Sequence, residues 1–131
     1  MLLKNFKNAA KNGHLKIVRE LIEKGADVNV KNFWNETPIY FAVKYNHLEI
    51  IQYLIEKGAA LNITNTYGDT PLHIAVCNGR LKIIKYLLEI GADFMTTNKY
   101  GDTPLDLAIQ LNKKNIVTFL TEYIENMKYH A

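Results

Sequence analysis

One hexapeptide pattern returns at a fixed step of 33 residues. Its copies are Thr37-Pro38-Ile39-Tyr40-Phe41-Ala42, Thr70-Pro71-Leu72-His73-Ile74-Ala75 and Thr103-Pro104-Leu105-Asp106-Leu107-Ala108. A second motif keeps the same step: Gly25-Ala26-Asp27-Val28-Asn29, Gly58-Ala59-Ala60-Leu61-Asn62 and Gly91-Ala92-Asp93-Phe94-Met95. Two motifs locked to one period mean one structural unit copied along the chain. A unit this short cannot bury its apolar face alone, so neighbouring copies must stack.

Residues 65–97 serve to read the unit. Asn65-Thr66-Tyr67-Gly68-Asp69 is turn-rich and suits a tight hairpin turn. Thr70 is placed to cap a helix, and Pro71 sits at its first position, where the missing N–H costs nothing. The first helix is predicted over 71–78, with Gly79 ending it in a left-handed conformation. The second is predicted over 81–89, with Leu81, Ile84, Leu87 and Leu88 as its apolar stripe and Gly91 as its stop. Where other copies lose glycine, asparagine takes its place at Asn35, Asn46 and Asn112. Asparagine is the non-glycine residue that best tolerates left-handed backbone, so the backbone shape is kept.

The period and the Thr-Pro-Leu-His signature together resemble the ankyrin repeat, over essentially the whole chain. The resemblance implies an all-α repeat solenoid of helix–turn–helix units joined by β-hairpin loops. Residues 1–131 are then expected to form a single domain, with repeats at 32–64 and 65–97 between two capping units. The N-terminal cap, 1–31, lacks the Thr-Pro motif. Its first helix is expected to bury Leu2, Leu3, Phe6, Ala9 and Ala10 and to leave Lys4, Asn5, Lys7, Asn8 and Lys11 in water. The C-terminal cap, 98–131, places Lys114 where an inner unit has leucine and continues with polar residues. Lys114 and Met95 depart from the family pattern.

Bulk properties narrow the function. The formal net charge of +3 is far from that of a dedicated nucleic-acid binder, and no apolar run approaches a membrane span. A single cysteine, Cys77, cannot form an internal disulfide, which fits a reducing compartment. Met1-Leu2-Leu3 is followed at once by Lys4 and Asn5, which is not the apolar core of a signal peptide. A cytoplasmic location is expected, or delivery into a host cell without a visible signal. Lysine, asparagine and isoleucine, 14 of each, have A/T-rich codons, and a microbial origin follows as an expectation.

The resemblance further implies that partners meet a concave face made of hairpin tips and first helices. By position in the repeat, the second unit offers Phe33, Trp34, Glu36, Lys44 and Tyr45. The third offers Thr66, Tyr67, Asp69, Cys77 and Asn78, and the fourth Lys99, Tyr100, Asp102, Gln110 and Leu111. The N-terminal cap adds Lys11 and Asn12. Trp34, Tyr67 and Tyr100 share one tip position and form an aromatic column. Glu36, Asp69 and Asp102 form an acidic column two residues on. Aromatics are enriched at binding hot spots and can hold cations over their rings, so a partner with apolar and basic side chains is expected. Helices stacked at their usual spacing give a groove about 30–35 Å long. That length holds roughly ten residues of extended peptide.

Catalytic, metal and cofactor chemistry find no support. His73 belongs to the Thr-Pro-Leu-His motif and is expected to bond loop backbone. His14 and His47 lie one repeat apart at a corner of the unit and read as scaffold. No pair of histidines has helical metal-ligand spacing, and Cys77 has no second cysteine. Asp69 and Asp102 are equivalent tip positions, expected to be exposed and ionised rather than an acid/base pair. Cys77 is expected to be inert. Tyr53, Tyr86 and Phe119 are expected to pack between second helices, while Lys16, Arg19, Lys82 and Lys85 form a solvated back surface. Leu21 followed by Asp27-Val28-Asn29 resembles the ankyrin pattern hydroxylated on asparagine, which would make Asn29 the acceptor. A backbone bond is the competing role for Asn29. The expected function is a non-catalytic, monomeric module that binds a protein or extended peptide, without cofactor, nucleic acid or membrane. The alternative is an adaptor or targeting subunit of an enzyme complex, including a microbial effector acting on a host protein.

Overall fold

The computed structural model describes residues 2–130, without the side chains of Leu2, Leu3 and His130. Eight helices follow in chain order: α1 (Leu2–Asn12), α2 (Leu15–Glu23), α3 (Pro38–Lys44), α4 (Leu48–Glu56), α5 (Pro71–Cys77), α6 (Leu81–Glu89), α7 (Pro104–Gln110) and α8 (Lys114–His130). They pack as four consecutive pairs. Among the described residues no strand forms, so the loops expected as hairpins are tight turns without flanking strands.

The punctuation read from the sequence acts as expected on the backbone. Asn35, Asn46 and Asn112 take φ of 60°, 69° and 55°, the left-handed values that glycine holds elsewhere in the repeat. Pro38, Pro71 and Pro104 each begin a first helix. In α6, Ile84, Leu87 and Leu88 are buried, and so is Ile83, which the apolar stripe had omitted. In α1, Phe6, Ala9 and Ala10 are buried as expected. The side chains of Leu2 and Leu3 lie outside the described residues.

The first helices stack directly on one another, α1 on α3, α3 on α5 and α5 on α7. A column of buried alanines runs through that row: Ala9, Ala42, Ala75 and Ala108, one per unit. Small side chains let helix axes approach closely. The second helices carry Ile50, Ile51, Leu54, Ile83, Ile84 and Leu87 and approach one another less. A row that is tighter on one side bends the stack toward that side, which makes the first-helix face the concave one.

Position three of the first helices ties one unit to the next. The His73 ring is fully buried. Its Nδ1 accepts from the Thr70 N–H at 3.0 Å, so the proton sits on Nε2, which donates to the Asp102 carbonyl at 2.9 Å. Thr70 Oγ1 accepts from the His73 N–H and completes a capping box. Tyr40 fills the equivalent place and turns its hydroxyl to the carbonyls of Ile63 and Asp69. It reaches forward but does not cap, and Thr37 Oγ1, buried, finds no partner among the described residues. Asp106 caps Thr103 and reaches no further.

The opposite corner carries a second tie. His47 Nε2 meets the Lys11 carbonyl at 2.8 Å, and Arg80 Nη2 donates to the Lys44 carbonyl at 2.8 Å. Both residues start a second helix and satisfy the free carbonyl end of the preceding unit's first helix. The scaffold role expected of His47 is therefore a specific one.

Candidate partner-binding surface

Each tip is organised by one asparagine, and of the three the motif reading noted only Asn65, as a turn residue. Asn32 Oδ1 accepts from the N–H groups of Trp34 and Glu36, both at 2.9 Å. Asn65 does the same for Tyr67 and Asp69, and Asn98 for Tyr100 and Asp102. A backbone bond closes each turn: Asn32 N–H to Glu36 O, Asn65 N–H to Asp69 O, Asn98 N–H to Asp102 O. The signal was present in the sequence, because these asparagines keep the repeat period.

Successive tips are joined through their main chains. Thr66 N–H donates to Trp34 O at 2.9 Å, and Lys99 N–H to Tyr67 O at 3.0 Å. The residues whose carbonyls accept are the aromatic column itself. Backbone bonding thus fixes the spacing of the column while the rings stay in water. Phe33 is 90% exposed, Tyr100 75%, and Trp34 and Tyr67 49% each. Phe33 and Trp34 meet edge to face, with ring centres 5.6 Å apart.

The acidic column differs from its expected state. Glu36, Asp69 and Asp102 are half-buried rather than exposed. Glu36 Oε1 accepts from Asn32 Nδ2, Asp69 Oδ1 from Asn98 Nδ2 of the next tip, and Asp102 Oδ1 from Gln110 Nε2. Each carboxylate spends one oxygen on the scaffold. Their first role is to hold tips in place.

Residues 6–98 match the family model for ankyrin repeats, in three copies. The chain belongs to the ankyrin repeat family. Members of this family are generally protein–protein interaction modules and typically non-catalytic. No curated protein is a significant match to the chain.

At the C-terminal ends of the first helices of this ankyrin chain, Lys44 and Gln110 and the capping residues Tyr45 and Leu111 are exposed, as are Lys11 and Asn12 of the first unit and Thr66 and Lys99 on the tips. Lys7 lies over the Phe41 ring at 5.2 Å, and Lys11 over the Tyr45 ring at 5.3 Å. Lys44 approaches the same Tyr45 ring at 5.7 Å. Asn78 is less available than expected, because it is half-buried and its Nδ2 bonds back to the Ile74 carbonyl. Cys77 is half-buried; burial first, and then the Asp69 charge, push its thiol above the ordinary value, with Lys113 opposing. The thiol is held protonated, in line with the inert role.

Asn29 acts as an inter-unit staple. Its Oδ1 accepts from the Ala60 N–H at 2.8 Å and its Nδ2 donates to the Gly58 carbonyl at 3.2 Å. Asn62 accepts from the Asp93 N–H in the same way. Met95 occupies the third such position and is exposed. On the second helices, Tyr53 is buried beneath Arg19 and Lys57, and Phe119 is half-buried beneath Lys85. These rings pack the scaffold. Among the described residues no group of three His, Cys, Asp or Glu side chains converges as a metal site, and no helix is long and apolar enough to cross a membrane.

Proposed function

We propose that this ankyrin array is a non-catalytic binding module whose tip-and-first-helix face receives a partner protein or an extended peptide. The observation that carries the reading is the aromatic row Trp34, Tyr67 and Tyr100, exposed on tips that backbone bonds hold at fixed spacing. Ordering costs are met when the array folds, so binding loses little further entropy. Phe33 and Trp34 form an exposed edge-to-face aromatic pair at one end of the row. The module acts as a monomer, a reading supported by the packing of Tyr53 and Phe119 under cationic side chains. Residues 1–31 and 98–131 serve as capping units. Supporting this at the C-terminal unit, Asp106 and Lys114 stand where the inner unit carries His73 and Leu81, residues that bridge or pack the stack.

The test is an affinity pull-down from native lysate with the wild type beside a Trp34→Ala, Tyr67→Ala, Tyr100→Ala variant of unchanged melting temperature. A protein held by wild type and lost by the variant supports the reading. A partner held equally by both refutes it.

A further inference from the structure

The two ends of the binding face carry opposite chemistry. Lys4, Lys7 and Lys11 fall at helical spacing on one side of α1 and form a stripe. The stripe meets the ring of Phe41 in α3 and that of Tyr45, the residue capping its C-terminal end, four residues apart, with one lysine over each. Lys44 brings a second ammonium group to Tyr45. Neither α1 nor α3 contains an aspartate or glutamate. Two like charges therefore share one aromatic ring without a carboxylate on either helix to separate them. The stripe also adjoins the first tip: Lys7, Asn32, Glu36, Pro38 and Phe41 line one shallow recess. That tip is the open end of the main-chain ladder. Thr66 and Lys99 donate to the tip before them, but among the described residues no carbonyl meets the equivalent N–H of Phe33.

Resting on the reading of this face as the binding surface, we infer that its N-terminal end takes an acidic linear segment of a partner protein. Carboxylates of that segment lie against Lys11 and Lys44, which share the Tyr45 ring, and beyond Lys7, whose recess already holds Glu36; an apolar side chain of it lies on Phe33 and Trp34. Aspartate or glutamate there relieves the repulsion around Tyr45, and a main-chain carbonyl of the segment extends the ladder at Phe33. A peptide fits better than a nucleic acid. Asp69 and Asp102 follow along the tips and repel a continuous phosphate backbone, whereas a peptide can confine its acidic residues to one end.

The test selects peptides about ten residues long from a displayed random library, on wild type and on a Lys7→Glu, Lys11→Glu, Lys44→Glu variant. Each winner, carrying a fluorescein label, is then titrated by fluorescence anisotropy, because Trp34 is the single tryptophan of the chain and is removed in some of the variants. The wild type should enrich Asp- and Glu-rich sequences, with affinity falling as salt rises from ~50 to ~300 mM. Charge reversal should weaken those peptides by about ten-fold or more and select Lys and Arg instead. A Lys→Gln version of the three sites should show a smaller loss in the same direction, which guards against a folding defect. Winners with no acidic bias that are nevertheless lost on Trp34→Ala would overturn the inference and leave the binding face intact. Winners indifferent to Trp34→Ala, Tyr67→Ala and Tyr100→Ala together would instead sink the reading of the face. A single-stranded oligonucleotide bound more tightly than any peptide would also overturn the inference.

Discussion

Replacing His73 by alanine should be among the most damaging single changes outside the apolar core. The ring satisfies the Thr70 N–H on one side and the Asp102 carbonyl on the other, from a site with no solvent access. Its loss orphans two backbone groups, each at about 1–3 kcal/mol. The vacated ring volume adds a cavity term. Together these give about 3–7 kcal/mol, a large part of the ~5–15 kcal/mol available to a domain. The two sides can be separated with substitutions suggested by the other units. His73→Asn imitates Asp106, which caps without bridging, and should cost about 1–2 kcal/mol. His73→Tyr imitates Tyr40, which bridges without capping, and should cost about as much through the lost cap. Urea unfolding of the three variants, followed by far-ultraviolet circular dichroism, measures each term. An alanine variant within about 1 kcal/mol of wild type would refute the argument. An asparagine variant as weak as alanine would show that capping contributes nothing.

Other perturbations have equally definite outcomes. Leu87→Ala, in a site without solvent access, should cost ~2–5 kcal/mol, while Trp34→Ala at a half-exposed tip should cost far less; comparable melting shifts would place Trp34 in the core. A methyl group at Gly68 would meet the Lys99 nitrogen at 2.8 Å on top of the strain of φ +77°, whereas at Gly101 nothing lies within 4 Å. Gly68→Ala should therefore destabilise by about 1–3 kcal/mol and Gly101→Ala by less, and equal effects in urea unfolding would contradict the tip contact. Burial, and then the Asp69 charge, raise the Tyr40 hydroxyl above the ordinary tyrosine value. In the unfolded chain the group ionises near pH ~10; the folded chain keeps its proton to higher pH, so this stabilisation is whole below that pH and fades as pH rises further. Tyr40→Phe should flatten the fall of stability above pH ~10, and an unchanged slope would mean Tyr40 does not drive it.

What could be read from the sequence was whatever repeats or bends the backbone locally. The Thr-Pro starts and the asparagines at 35, 46 and 112 act within a few residues of themselves, so their geometry follows from residue type. Exposure of Trp34, Tyr67 and Tyr100 followed from their register in the repeat. The state of the acidic column did not, because Asp69 is tied by Asn98, 29 residues further on. For Asn29 the backbone bond was anticipated, but not that it reaches Gly58 and Ala60 of the next unit. Such bonds arise only when units stack, and composition says nothing of which side chain spans the gap. Asn32, Asn65 and Asn98 were within reach of a closer reading, since three asparagines at one step are themselves a motif. The lysine stripe needed the structure, because only packing shows that Lys7 and Lys11 find the rings of the neighbouring helix.

The alanine column also gives the array a mechanical character. Ala9, Ala42, Ala75 and Ala108 already bring the inner row together, so curling the stack further would press backbone against backbone. Flattening it meets softer resistance, because the outer helices stand farther apart. Elastic response is therefore one-sided. A bulky guest on the proposed face can spread it only by straining the tip bonds from Thr66 to Trp34 and from Lys99 to Tyr67, and the face cannot tighten around a thin one. Selectivity by fit must then come from the tips, whose reach is fixed, and the curvature sets a minimum width that no ligand can make smaller.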